Sequence, residues 1–209
     1  MSLNLAVILR ESARRDPDRV AIILDSFKFT YGQLDALSNQ AASSLKAGGL
    51  RKGDRVGVML PNVPHFPIAY FAILKAGGVV VPMNVLLKAP EVSYYMGDSG
   101  ARYLVAWDDF AGEAVEGLAN LKPVTTFVAL RPGNAETPEG TRNFMGGDPQ
   151  FDAEATEGDD TAVIAFVKER AAAYKYPRTV QFVDSLPKGA TGKILKKELK
   201  AQLEAAART

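Results

Sequence analysis

The spacing of apolar residues changes repeatedly over the first 130 positions, and these changes predict the secondary structure. Some stretches carry an apolar residue every three or four positions, as on the buried face of a helix. They are separated by short apolar runs that have the length of buried strands. Strands that alternate with helices predict an α/β fold, a parallel sheet with helices on both of its faces. The predicted helices are 3–15, 30–48, 64–76, 90–99 and 110–118, and the predicted strands are 20–24, 27–29, 55–60, 79–81, 102–106 and 125–130.

Residues at the ends of the predicted helices support these boundaries. Thr30-Tyr31-Gly32-Gln33 has the pattern of a capping box, in which the threonine and glutamine side chains bond backbone N–H groups at the start of a helix. Glycine follows the predicted ends of three helices, at Gly48-Gly49, Gly77-Gly78 and Gly100. Glycine is common there because it adopts the left-handed backbone that ends many helices.

The composition changes at residue 131, where Pro, Gly, Asp, Glu, Thr and Asn become frequent and apolar residues sparse. We interpret 131–160 as a flexible linker or a long excursion over the surface. Its acidic cluster could bind a cation, but such residues are usually only solvated, and we predict no metal site. The cluster is Glu154, Glu157, Asp159 and Asp160. The chain is therefore predicted to have three parts: an N-terminal α/β subdomain (1–130), this linker (131–160) and a small C-terminal α+β fragment (161–209).

The overall composition excludes several classes of function. The chain has 209 residues, of which 47% are hydrophobic, and a formal net charge of +1, so nothing predicts binding to nucleic acid or to a membrane surface. It has no cysteine and a single histidine, which excludes thiolate and multi-histidine metal sites. We predict His65 to be a surface or capping residue and Trp107 to pack at the edge of the core. A signal-peptide pattern and a membrane-spanning apolar run are absent from the sequence, which predicts a cytoplasmic protein.

One stretch near the C-terminus has the residues of a phosphate-binding turn, Pro187-Lys188-Gly189-Ala190-Thr191-Gly192-Lys193. A basic amphipathic helix is predicted to follow it, so Lys193 would lie at a helix start, where free N–H groups favour an anion. Only Ala190 and Thr191 separate Gly189 from the Gly-Lys pair, so the stretch is not a nucleotide-binding P-loop. The alternative is a surface turn with a solvated lysine.

The same stretch, together with Tyr174-Lys175-Tyr176-Pro177, resembles the C-terminal lid of AMP-forming acyl-CoA synthetases, which belong to the adenylate-forming superfamily. The first 130 residues resemble that family too, through Lys52-Gly53-Asp54-Arg55-Val56, Leu60-Pro61-Asn62 and Leu74-Lys75-Ala76-Gly77-Gly78. The resemblance implies ligation of a fatty acid or related carboxylic acid to coenzyme A through an acyl-adenylate, with ATP and Mg²⁺.

In the family, the lysine at the position of Lys193 contacts the carboxylate and the α-phosphate. The resemblance therefore implies a catalytic Lys193, with Thr191 and Gly192 as the ATP- or AMP-binding residues that shape its turn. A positioned ammonium stabilises the negative charge that builds up when a carboxylate attacks a phosphate.

One large piece of the family pattern is absent. Residues 158–164 resemble the strand that precedes the family's phosphate-binding loop, although Thr161 and Val163 would also suit the start of a helix. A turn rich in Ser, Thr and Gly should follow, but 165–170 resembles the lid helix instead. We therefore expect the central ATP- and acyl-binding core to be missing and the chain to be inactive alone. The alternative is a non-catalytic remnant or interaction module that associates with itself, as a homo-oligomer, or with a full-length relative.

Overall fold

A computed structural model of the chain describes residues 4–121, 123–134, 136–157 and 160–163. Predictions for 164–209, including the α+β fragment and the turn with Thr191, Gly192 and Lys193, lie outside these residues. In the described part, the helices are α1 (Val7–Arg15), α2 (Tyr31–Ala47), α3 (His65–Lys75), α4 (Ala89–Ser99) and α5 (Ala111–Leu118), with a 3₁₀ turn at Asp108–Phe110. The strands are β1 (Val20–Leu24), β2 (Phe27–Thr30), β3 (Arg55–Met59), β4 (Val79–Pro82), β5 (Tyr103–Trp107), β6 (Thr125–Ala129) and β7 (Arg142–Asn143).

Five of these strands form the parallel sheet that the sequence predicts. Their order is β4-β3-β5-β6-β7, and every neighbouring pair is parallel. In the centre of the sheet, Gly57 of β3 lies between Val81 of β4 and Leu104 of β5. Strands β1 and β2 form a separate antiparallel hairpin.

Helices cover both faces of the sheet, which confirms the predicted α/β class. The side chains of β5 show both layers, because Val105 packs in the core beneath α1–α3 and Leu104 in the core beneath α4 and α5. Every residue of β5 is buried as a result, and a strand buried on both faces has a continuous apolar run rather than an alternating one. In the described part of the chain, no helix is both long and apolar enough to cross a membrane.

Two helix ends form as their residues predict. The Gln33 backbone N–H donates to Thr30 Oγ1 (3.2 Å), and the Thr30 N–H donates to Gln33 Oε1 (2.9 Å), so the capping box at the start of α2 is confirmed. Gly100 ends α4 with a φ of 65°, in the left-handed region that favours glycine.

A buried lysine joins α2 to α3. Lys75, on the last turn of α3, is 2% exposed. Its Nζ donates to Asp35 Oδ1 (2.7 Å), Ser38 Oγ (2.8 Å) and Asn39 Oδ1 (2.6 Å), all on α2. Burial lowers the pKa of Lys75 below its usual range, while the hydrogen bond to Asp35 opposes that shift. The lysine side chain thus links the two helices that cover one face of the sheet.

The segment after β6 follows the surface of this domain and touches it at several points. Arg142 and Asn143 extend the sheet beside β6, and Phe144 is fully buried. Further on, Val163 forms a parallel bridge to Val80 of β4, at the opposite edge of the sheet. This bridge favours the strand over the helix at residues 162–163. The boundaries of the three predicted parts of the chain stay predictions.

Candidate functional site

The strand order reverses at one position in the sheet. From β3 the chain passes through α3 to β4 on one side, and from β5 it passes through α5 to β6 on the other side. Because α3 and α5 lie on opposite faces, the connections separate at the carboxyl ends of β3 and β5. Such a point, where the strand order reverses, is where open α/β sheets bind ligands. We therefore take the carboxyl ends of β3 and β5 as the candidate functional site.

His65 and Trp107 meet at this position. His65 begins α3 after β3, and Trp107 is the last residue of β5. Their rings pack edge to face, with centroids 5.1 Å apart and an interplanar angle of 66°. Trp107 is buried in the core, and its Nε1 donates to Asp109 Oδ2 (3.2 Å). The predicted place of Trp107, at the edge of the core, agrees with its position at the end of the strand.

The capping role predicted for His65 was wrong. Pro64 is the N-cap of α3, and no side chain caps the helix. The imidazole instead turns towards Trp107, and its Nδ1 is buried without a hydrogen-bond partner among the described residues. Burial lowers the pKa of His65, although the negative charge of Asp108 opposes this shift. The ring is therefore neutral at pH 7, so that one of its nitrogens donates and the other accepts a hydrogen bond.

Asp108 stands beside this pair and is held by the loop that follows β6. Its side chain is 7% exposed. Its Oδ2 accepts bonds from Asn134 Nδ2 (2.7 Å) and from the backbone N–H of Arg131 (3.2 Å), and its Oδ1 accepts from the N–H of Asp109 (3.0 Å). The Arg131 guanidinium lies 2.9 Å from Asp109 and 3.5 Å from Asp108. The carboxylate thus fastens the ends of β5 and β6 together.

Three of the connections at this edge do not form a phosphate cradle. Residues 60–64 connect β3 to α3; they include Pro61 and Pro64, which lack a backbone N–H, and no glycine. The connection from β4 to α4 also lacks glycine, and α5 is preceded by the carboxylates of Asp108 and Asp109. These three connections therefore do not fit the triphosphate of ATP by themselves. Within the described ranges, no group of three metal-binding side chains is present.

At this edge of the sheet, the described structure brings together His65 and Trp107 from among the residues singled out from the sequence. Thr191, Gly192 and Lys193 lie outside it. The roles of Asp108 and Arg131 were missed, although the Asp pair directly after a buried strand was a usable signal. The carboxyl ends of parallel strands share one edge, so polar residues just beyond them meet there.

Comparisons with known proteins point to one family. The AMP-binding enzyme family matches residues 9–166. Long-chain-fatty-acid–CoA ligase FadD13 of Mycobacterium tuberculosis is 38% identical over 104 residues, which cover 49% of this chain and 21% of the relative. A long-chain-fatty-acid–CoA ligase of Escherichia coli O157:H7 is 30% identical over 199 residues, covering 94% of this chain and 32% of the relative. The chain thus spans about a fifth to a third of the length of these relatives.

The fold agrees with the solved structures of such enzymes. A Mycobacterium tuberculosis fatty acyl CoA synthetase superposes with a TM-score of 0.65 at 30% sequence identity, over 78% of this chain and 32% of that chain. The described sheet and its two helical layers are therefore similar to a part of that larger protein.

Proposed function

Since the chain belongs to the AMP-binding enzyme family, we propose that it is part of an ATP-dependent ligase that joins a carboxylic acid, most simply a fatty acid, to coenzyme A through an acyl-adenylate. The match of the family over residues 9–166 carries this proposal. The names of the relatives, long-chain-fatty-acid–CoA ligases, supply the substrate class.

We propose further that this chain does not complete the reaction alone. Three of the described connections at the carboxyl edge lack a phosphate cradle, and no turn rich in Ser, Thr and Gly follows directly after Ile164 in the sequence. Adenylation requires ATP and the carboxylate to be held in register, because positioning supplies much of the rate enhancement of such a reaction. In this proposal the described domain is the scaffold that presents its carboxyl edge to the reacting groups.

Lys193 is the proposed catalytic residue. Its ammonium would stabilise the charge that develops between the carboxylate and the α-phosphate, and Thr191 and Gly192 would shape its turn. ATP, Mg²⁺ and coenzyme A are proposed as the small molecules of the complete reaction, and the cytoplasm as its location. These assignments rest on the resemblance of residues 187–195 to the lid of the family.

A second candidate function is an interaction module that associates with itself or with a full-length relative. The hairpin favours it, because Ile23 of β1 and Phe27 of β2 are each 65% exposed. A two-stranded hairpin with open edges and exposed apolar side chains can pair with another chain. Sedimentation of the chain over a range of concentrations, alone and mixed with a full-length relative, tests this function.

Calorimetric titration with ATP tests the ligase proposal. We would titrate the 209-residue chain in the presence of Mg²⁺ and a fatty acid, together with Lys193→Ala and the matched control Lys197→Ala on the helix predicted to follow. Saturable heat that is lost in Lys193→Ala and kept in Lys197→Ala would show that the chain binds nucleotide through the proposed residue. Saturable heat of equal size in all three proteins would contradict the role of Lys193. No heat in any of them would agree with a chain that cannot bind ATP alone.

A further inference from the structure

We propose that Lys46 and Glu154 are a positioning pair: they fix the register in which residues 160–163 meet the edge strand β4. The inference rests on the proposed function in one respect, because residues 158–164 resemble the strand that leads to the phosphate-binding loop of the family. The geometry that supports the pair belongs to the described domain and is independent of any ligand.

Glu154 is held at both its side chain and its backbone. Its Oε2 lies 2.7 Å from Lys46 Nζ at the end of α2. Its N–H donates to the carbonyl oxygen of Lys75 (2.7 Å), and its own carbonyl oxygen accepts from Asn4 Nδ2 (2.9 Å). Asn4 Nδ2 also donates to the carbonyl oxygen of Leu74 (2.7 Å). One residue is therefore anchored to α2, to the end of α3 and to the N-terminal segment.

The turn after α3 leaves space for the Glu154 side chain. Gly77 has a φ of +78°, which L side chains rarely adopt, and a Cβ at this position would lie 2.8 Å from Glu154 Cγ. Lys75, whose carbonyl accepts from Glu154, is itself fixed to α2 by its side chain. The carbonyl group that accepts from Glu154 therefore belongs to a residue whose side chain is fixed. Both this residue and Gly77 are part of the Leu74-Lys75-Ala76-Gly77-Gly78 motif.

Glu154 lies a few residues before the segment 160–163, which meets the edge strand β4. Asp160 Oδ2 lies 2.7 Å from Lys52 Nζ, and the N–H of Val80 then donates to the carbonyl oxygen of Ala162 (2.9 Å). Ala162 packs against the core beneath α1–α3. A slip of one residue would exchange the inward and outward side chains of this strand. An anchor eight residues before Ala162 restricts such a slip, because it limits the slack in the chain.

This arrangement also explains the acidic character of the segment. The hydrogen bond to Asp160 raises the pKa of Lys52, and Glu157 and Glu154 add to the effect through their charges. The hydrogen bond from Lys52 in turn lowers the pKa of Asp160. Two acids of the cluster therefore pair with lysines of the domain. Lys46 and Glu154 are the pair that fixes the segment more firmly, because among the acids of this cluster that the structure describes only Glu154 also makes two backbone hydrogen bonds to the domain.

Amide hydrogen exchange, followed by NMR on the full 209-residue chain without ATP, tests the proposal. In Lys46→Met and in Glu154→Ala we expect the Val80 amide, which donates to Ala162, to exchange about fivefold faster, the effect of an ion pair worth about 1 kcal/mol. The Val105 amide in the centre of the sheet should keep its rate. Lys46→Arg, which retains the cation, should keep the protection of Val80, and the double variant Lys46→Met/Glu154→Ala should be no faster than either single one.

The control is Lys88→Met, which breaks an ion pair of similar length (Lys88 Nζ to Glu113 Oε1, 2.8 Å) between α4 and α5. It should leave the Val80 amide unchanged. The proposal is overturned if Val80 keeps its rate in both single variants, if Val105 accelerates equally, or if Lys46→Arg behaves like Lys46→Met. This outcome is separate from that of the ATP titration, because the exchange is measured without ligand.

Discussion

Replacing Lys75 with methionine should destabilise the protein more than any change at a surface lysine. Lys75→Met keeps an unbranched chain of similar length but removes an ammonium that is 2% exposed and bonded to Asp35, Ser38 and Asn39. Removing one partner of a buried ion pair costs about 3–5 kcal/mol, because the other charge remains without its counter-ion. The Asp35 side chain is 21% exposed and so keeps some water. We therefore expect the lower end of that range, about 3 kcal/mol.

Urea unfolding followed by circular dichroism measures this loss. With an m-value of about 2 kcal/mol/M, the midpoint should fall by about 1.5 M. Lys52→Met is the matched control, since Lys52 pairs with Asp160 on the surface, and its midpoint should change by less than about 0.5 M. The double variant Lys75→Met/Asp35→Asn should recover part of the loss, because no buried charge is left unpaired. A midpoint for Lys75→Met within about 0.3 M of the parent protein would refute the reasoning.

Three further predictions follow from the described contacts. Burial lowers the pKa of His65 below the value of about 6.5 that it has in the unfolded chain, so the unfolded chain binds the proton more readily. The free energy of unfolding should therefore fall as the pH drops through 6.5 towards the folded pKa. In His65→Gln the urea midpoint should depend less on pH. Gly117→Ala should lower the free energy of unfolding by about 1–3 kcal/mol in the same assay, because the added Cβ would lie 2.6 Å from the Ala89 carbonyl oxygen. A Cβ added at Gly112, on the same helix, meets open space, so Gly112→Ala should leave the stability unchanged or raise it. Thr30→Ala removes the capping box of α2 and should lower the unfolding free energy by about 1 kcal/mol.

The fold was predictable because its signals are local. The capping box at Thr30 and the glycine after Ser99 each act within a few residues of the helix end that they define. The continuous burial of Tyr103–Trp107 is likewise visible as an unbroken apolar run. Alternation of such runs with helices then implies the parallel sheet with its two helical layers, because parallel strands need a crossover between them.

Several contacts within the domain and at the candidate site were not predictable, because they join residues far apart in the chain. Lys75 appears in the sequence as a polar residue in the last turn of an apolar helix, and nothing local reveals the acceptors on α2 that permit its burial. The same holds for Glu154, whose partner Lys46 lies 108 residues earlier. His65 was predicted wrongly for the same reason: the side chain at a helix start can turn outward to cap or inward to pack, and Trp107 decides the direction.

The two candidate functions place different demands on the carboxyl edge of the sheet. Asp108 needs no further partner, because Asn134 and the Arg131 backbone already donate to it. His65 differs, since its buried Nδ1 has no partner in the described part of the chain, and buried polar atoms are nearly always paired. In a ligase the missing hydrogen-bond partner would come from the substrates or from the rest of the enzyme, and in an interaction module it would come from a second chain. Because His65 is the only histidine, its imidazole NMR signals are unambiguous. They should shift on addition of ATP, Mg²⁺ and a fatty acid if the edge is a ligase edge, and with protein concentration or on addition of a full-length relative if the chain is an interaction module. Signals that respond to none of these would contradict a binding role for this edge of the sheet.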